Sequence, residues 1–273
     1  MCLKCRVCAA KGRGNDSIPT AIFSQTLPFS NPVFRLFIEV STSTLIVGYN
    51  QVFIKGGKMN LLTCSFESVG NPNGEACLND VMDMSKLIPF DWDDFVERDY
   101  VDTWDMEAGN WGPTYFVDVG EAGNIFVDSS SLEPADAMVK SGASLWLFRY
   151  GDDIDGFTFA GQVGTGVKSY TLTAGKMNLC GNPYPTALNL NDPNQVTITG
   201  ATEFDWDDFV EKDYIDTWDL TTSNWGPSYF YVDGAWADSG SLEKLDNAEI
   251  QPGAGFWYFA YGEGVTLTFN GIN

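Results

Sequence analysis

Apolar and polar residues alternate along most of this chain in short runs that stop at Gly, Asn, Asp or Pro. "LIVGYNQVFI", "KMNLL", "YVDTWDM", "PTYFVDV", "ASLWLFRY" and "GFTFAGQV" are rich in β-branched and aromatic residues. Runs of that length and composition predict strands. "NWGP", "FRYGDDIDG" and "AYGEG" read as turns. Only "NDVMDMSKLI" and "DWDDFVERD" suit a helical turn. In "VDTWD" a period of two places Val101, Thr103 and Asp105 on one face and Asp102 and Trp104 on the other.

The pattern occurs twice. Phe90–Phe116 and Phe204–Phe230 agree at 20 of 27 positions. "GKMNL" begins at Gly57 and again at Gly175, "GNP" at Gly70 and at Gly181, and "ASLWLFRYG" around Trp146 answers "AGFWYFAYG" around Trp257. The offset falls from 118 to 111 between the first two landmarks, so the first copy holds about seven extra residues, "LTCSFES", read as a loop insertion. The copies span 45–163 and 164–273, each an ordinary domain size. Six to eight short strands per copy predict an all-β fold of two tandem duplicated antiparallel β-sandwich or barrel domains, after an N-terminal extended arm at 1–44.

Composition narrows the partners. Hydrophobic content is 44% and aromatic content 14%, enough for packed cores. Residues 1–44 carry a net charge of +3, whereas the remaining 229 hold 10 basic and 35 acidic groups, a net of −25. Such a body repels phosphate backbones and anionic headgroups, which argues against nucleic acid as a partner. No run of 18 apolar residues is present to span a membrane. Residues 32–44, including "PVFRLFIEV", suit a strand that adds to a sheet edge of this chain or of a neighbour.

The six cysteines are unevenly placed. Cys2, Cys5 and Cys8 have metal-motif spacing but lack a fourth ligand nearby. Cys64 and Cys77 are a candidate disulfide closing a short loop, private to the first copy.

The phrases "GKMNL", "GNPYP", "GFWYFAYG" and "LTFNG" resemble β units of tandem-repeat secreted and surface proteins of bacteria. The resemblance covers both copies and not residues 1–44, and it implies an extracellular location more than a chemistry. The first copy departs from it at "GNPNG" and "ASLWL".

Two sets of residues offer chemistry. Trp92, Trp104 and Trp111, with Trp206, Trp218 and Trp225, suit either the filling of a small β core or a platform on which sugar rings stack. Asp102 and Asp216, candidate ligand-binding residues, share a strand face with tryptophan, so that face is not expected to be purely core. Asp91, Asp93 and Asp94, with Asp205, Asp207 and Asp208, are candidate calcium ligands, weighed against a solvated acidic face; the EF-hand order is absent. The chain contains no histidine, so serine and cysteine nucleophiles lack their usual base. A glycosidase carboxylate pair is the remaining catalytic reading, and the expectation is a protein that is not an enzyme. Two functions stand: an extracellular structural or assembly subunit that self-associates, or a module that binds polysaccharide or another ligand through the duplicated Trp/Asp faces.

Overall fold

The alternating stretches pair as antiparallel ladders, and the described residues are all-β with almost no helix. The computed structural model describes residues 35–36, 46–71, 74–93 and 98–271. β1 (Arg35–Leu36), β2 (Val47–Ile54), β3 (Lys58–Thr63) and β4 (Glu75–Cys77) lead into one helical turn, α1 (Leu78–Val81), and a 3-10 turn at Met84–Lys86. Next come β5 (Tyr100–Asp105), β6 (Asn110–Gly120), β7 (Gly123–Asp128), β8 (Met138–Lys140), β9 (Ser144–Arg149) and β10 (Ile154–Gln162). Then follow β11 (Lys168–Thr171), β12 (Lys176–Gly181), β13 (Leu188–Asn189), β14 (Val196–Thr199) and β15 (Tyr214–Asp219). The last five are β16 (Asn224–Val232), β17 (Ala235–Asp238), β18 (Glu249–Ile250), β19 (Gly255–Ala260) and β20 (Thr266–Phe269).

Two five-stranded sheets share one strand order: β3-β9-β5-β6-β7 and β12-β19-β15-β16-β17. Smaller sheets β1-β2-β10, β11-β20-β14, β4-β8 and β13-β18 flank them. β1 lies on the edge of β2, with Arg35 opposite Tyr49 and Leu36 opposite Gly48. The rest of the expected arm, with Cys2, Cys5 and Cys8, lies outside the described residues.

Repeated residues make repeated geometry. Asn60 pins the turn before β3: its Nδ2 donates to the carbonyls of Lys55, Lys58 and Leu147, and its Oδ1 accepts from the Lys55 amide. Asn178 does the same with Thr173, Lys176 and Tyr258. That explains why "GKMNL" recurs: a buried amide that satisfies four backbone bonds has no apolar substitute. The bulge between Asp102 and Trp104 recurs between Asp216 and Trp218. A Cβ on Gly112 would lie 2.7 Å from Thr103 Oγ1, and one on Gly226 would lie 2.5 Å from Thr217 Oγ1. Those hydroxyls donate to Pro113 O and Pro227 O, each at 2.7 Å. The "NWGP" glycine is the residue that lets the bulge close.

Each large sheet covers an apolar core. One gathers Ile54, Phe66, Val101, Leu147 and Phe157; the other gathers Tyr184, Ile215, Trp236, Phe256 and Phe269. The seven-residue difference between the copies is no surface loop. Cys64, Ser65, Phe66, Glu67 and Ser68 are all buried, and Glu67 bridges to Gln162. Apolar Phe66 drives the segment inward, and a strand-like bridge satisfies its backbone.

The two halves meet at β3, β9, β12 and β19. Leu62 bridges to Ala254 and Ala143 to Cys180. The Thr63 amide donates to Gly253 O at 2.9 Å, and Ser144 Oγ to Cys180 O at 2.6 Å. Met106 packs against both cores, and Leu220 of the second half packs against the first.

The candidate disulfide does not form. Cys64 and Cys77 are free: Cys64 is buried with its thiol directed to Phe66 O, whereas half-buried Cys77 donates to Asp136 O. Burial pushes the Cys64 and Cys180 thiols up to about 12, so both remain protonated at neutral pH.

A candidate aromatic binding face

The outward face of each large sheet is aromatic. Along β5, Val101 and Thr103 point into the core, while Tyr100, Asp102 and Trp104 are half-buried. β15 repeats this with Ile215 and Thr217 inward and Tyr214, Asp216 and Trp218 outward. Cross-strand neighbours extend the row. Tyr100 stacks on Phe148 at 5.2 Å and meets Phe116 at 6.3 Å; Phe116 stacks on Phe90, which holds Trp92 edge-on at 4.9 Å. In the second half Tyr214, Phe259, Phe230, Phe204 and Trp206 take the same places, with centroid separations of 5.1 to 6.3 Å. Arg98 lies over Phe116, and Lys212 over Phe230. The outermost rings, Trp92 and Trp206, are 53% and 57% exposed.

At the other end of each row the halves exchange rings. Trp104 and Trp111 form a cluster with Trp257 of the second half, at centroid distances of 5.2 to 6.2 Å. Trp218 and Trp225 form the matching cluster with Trp146 of the first half, at 5.0 to 6.3 Å. All these contacts are edge-to-face, the arrangement the ring quadrupole favours. Trp111 and Trp225 remain 54% and 55% exposed, so neither triad is core. The six candidate tryptophans thus sit on partly open surface. Trp146 and Trp257 complete the clusters; the recurrence of both in the paired "SLWLF" and "GFWYF" phrases was their sequence signal.

The two strand-face carboxylates sit among these rings. Asp102 is the cross-strand partner of Trp146 on one side and of Thr114 on the other. Asp216 is placed likewise between Trp257 and Ser228. Thr114 Oγ1 donates to Asp102 Oδ1 at 2.6 Å, and Ser228 Oγ donates to Asp216 Oδ1. A cleft of about 260 Å³ opens beside Trp104, bordered by Asp105, Glu107, Pro113 and Lys140. Its counterpart of about 180 Å³ opens beside Trp218, bordered by Asp219, Pro227, Glu249 and Gln251. Lys140 pairs with Glu107 in the first cleft, and Gln251 bonds Glu249 in the second.

The candidate calcium ligands are not brought together. Asp91 Oδ1 accepts the Asp93 amide, and Asp205 Oδ1 accepts the amides of Asp207 and Asp208. These carboxylates hold their own turns, and among the described residues no three acidic or thiol groups converge on a cation position. Asp94 lies outside the described residues. Two acids of the same run are wholly buried: Asp99 receives Arg149 and the Tyr150 amide, and Asp213 receives the Tyr258 hydroxyl and the Tyr261 amide.

No helix among the described residues is long and apolar enough to cross a membrane. No family model, curated protein or solved structure matches this chain.

Proposed function

We propose that the chain is a non-enzymatic carbohydrate-binding protein of two tandem β domains, 45–163 and 164–273, which stacks a polysaccharide on its tryptophan face. The observation that carries this reading is the duplicated pair of junction triads, each ending in a tryptophan more than half exposed. Large rings left open to water at equivalent places on both halves contribute nothing comparable to core stability, and a sugar ring is the flat, amphipathic partner that uses such a surface. Asp102 and Asp216 supply fixed acceptors for sugar hydroxyls beside the rings. The resemblance to secreted and surface proteins fits a location where polysaccharide is met.

Affinity electrophoresis through gels containing soluble polysaccharides tests this. The wild type is expected to be retarded by at least one, and Trp111→Ala and Trp225→Ala to weaken binding about tenfold each, roughly 1.4 kcal/mol per ring. Equal mobility of all three proteins in every gel overturns it.

A second reading, self-association into an extracellular assembly, draws on a different feature. Trp206, Phe209 and Val210 form an apolar tip on the second half, 57%, 63% and 71% exposed. An assembly built on that tip dissociates in a Phe209→Ser/Val210→Ser variant, as sedimentation velocity would show. Identical sedimentation of variant and wild type removes the tip from any assembly.

A further inference from the structure

We propose that the polymer bound by the tryptophan face is an amino sugar carrying free ammonium groups, an inference that rests on the carbohydrate-binding reading above. The packing of the rings sets the geometry first. Within each triad the centroids stand 5.0 to 6.3 Å apart, edge to face. Rings in direct contact enclose no box, so a small onium group cannot be caged between them as in an aromatic cage. A ligand lies flat, on the open faces of Trp111 and Trp225.

The polar groups among the rings then set the charge. Asp102 and Asp216 each have Oδ1 held by a neighbouring hydroxyl, and among the described residues Oδ2 takes no hydrogen bond. An ionised carboxylate only accepts, and two more, Asp105 and Asp219, close the same strands. β5, β6, β15, β16 and β19 contain no lysine or arginine, and Arg149, the single basic residue of β9, is committed to Asp99. A uronate or sulfated polymer would meet these carboxylates first. The cations nearby are Lys140, paired with Glu107, and Arg98 and Lys212, which lie over rings toward the Trp92 and Trp206 ends of the rows. A neutral polymer finds acceptors yet leaves the carboxylates uncompensated. A polymer of ammonium-bearing sugars offers both a flat ring and a charge-assisted N–H donor. The acidic body, at −25 over residues 45–273, concentrates such a polycation at its surface. Duplication of the carboxylate beside each triad matches a ligand that repeats along its own length.

Calorimetric titration with a glucosamine hexamer, an N-acetylglucosamine hexamer and a hexamer of glucose, at about 0.15 M salt to limit generic attraction, tests the proposal. The glucosamine hexamer is expected to bind at least about tenfold tighter than either neutral one. The Asp102→Asn/Asp216→Asn variant, which keeps the shape and an acceptor for Thr114 and Ser228, is expected to bring all three to near parity. Equal or tighter binding of a neutral hexamer overturns the ammonium proposal and leaves the sugar-binding reading standing. A preference that survives in the double Asn variant assigns it to bulk charge and also overturns the proposal. Absence of binding by all three, with the polysaccharide gels also negative, sinks both.

Discussion

Arg149 Nη1 lies 2.5 Å from Asp99 Oδ2 inside the first half, with the carboxylate fully buried and the guanidinium nearly so. The second half answers the same problem differently. By strand register the place of Arg149 is taken by Ala260, and Asp213 is met instead by the Tyr258 hydroxyl at 2.7 Å. In both halves the following tyrosine amide, Tyr150 or Tyr261, donates to the other oxygen. One buried aspartate therefore ties the strand before the tryptophan face to the strand beside it, once by a cation and once by a neutral donor.

Removing these partners should cost different amounts. Arg149→Ala strands a buried carboxylate and is expected to lower unfolding free energy by about 3–5 kcal/mol. Tyr258→Phe removes one neutral donor and is expected to cost about 1–3 kcal/mol. Urea denaturation of both variants gives the comparison, and an Arg149→Ala cost no larger than the Tyr258→Phe cost contradicts the buried ion pair.

A pH dependence follows from the neutral partner. Burial raises the Asp213 carboxyl above the ordinary aspartate value, opposed by the bonds from Tyr258, Tyr261 and Thr202. A raised acid binds its proton more tightly folded than unfolded, so its ionisation opposes folding, and stability falls as pH rises from about 3.9 through the folded value. Acidification also relieves the repulsion of the acidic body, so the wild-type slope alone is not diagnostic. Asp213→Asn should have a shallower slope of urea midpoint against pH in that window. Parallel slopes for the two proteins mean that Asp213 does not titrate in it.

The junction makes a steric demand on one residue. A Cβ on Gly181 would overlap Thr63 Oγ1 and Cγ2 and come within 2.5 Å of Ser144 Oγ. Thr63 and Ser144 bond each other at 2.6 Å and Ser144 bonds Cys180 O, so neither yields freely. Gly181→Ala is expected to cost more than the about 1–3 kcal/mol usual for overpacking. In calorimetry it should separate one unfolding transition into two as the halves uncouple. Adding Thr63→Gly, which removes the side chain that the new methyl group overlaps, should restore most of the loss. A Gly181→Ala protein that melts like wild type would show that the halves do not meet at this contact.

The sequence by itself determined the all-β class, the strand stretches and the doubled phrases, because period-two alternation, turn residues and repetition are local signals. It also separated Val101 and Thr103 from Asp102 and Trp104 by strand period. Which face is buried, and the bulge after Asp102 beyond which Asp105 is exposed instead of sharing the inward face, came from the tertiary structure. Tertiary structure alone decided what those outward residues meet. Trp104 finds Trp257 and Trp146 finds Trp218 because the halves pack together, and no local pattern encodes a partner so far along the chain. The same distinction explains the misreadings. "LTCSFES" looked like a loop because its counterpart lacks it, yet burial of Phe66 turns it into core and leaves Cys64 and Cys77 unbonded. Asp99 and Asp213 belong to the same acidic runs as the carboxylates weighed as a solvated face, yet both are fully buried. They are interior because Arg149 and Tyr258, on a distant strand, supply the donors that make a buried carboxylate tolerable.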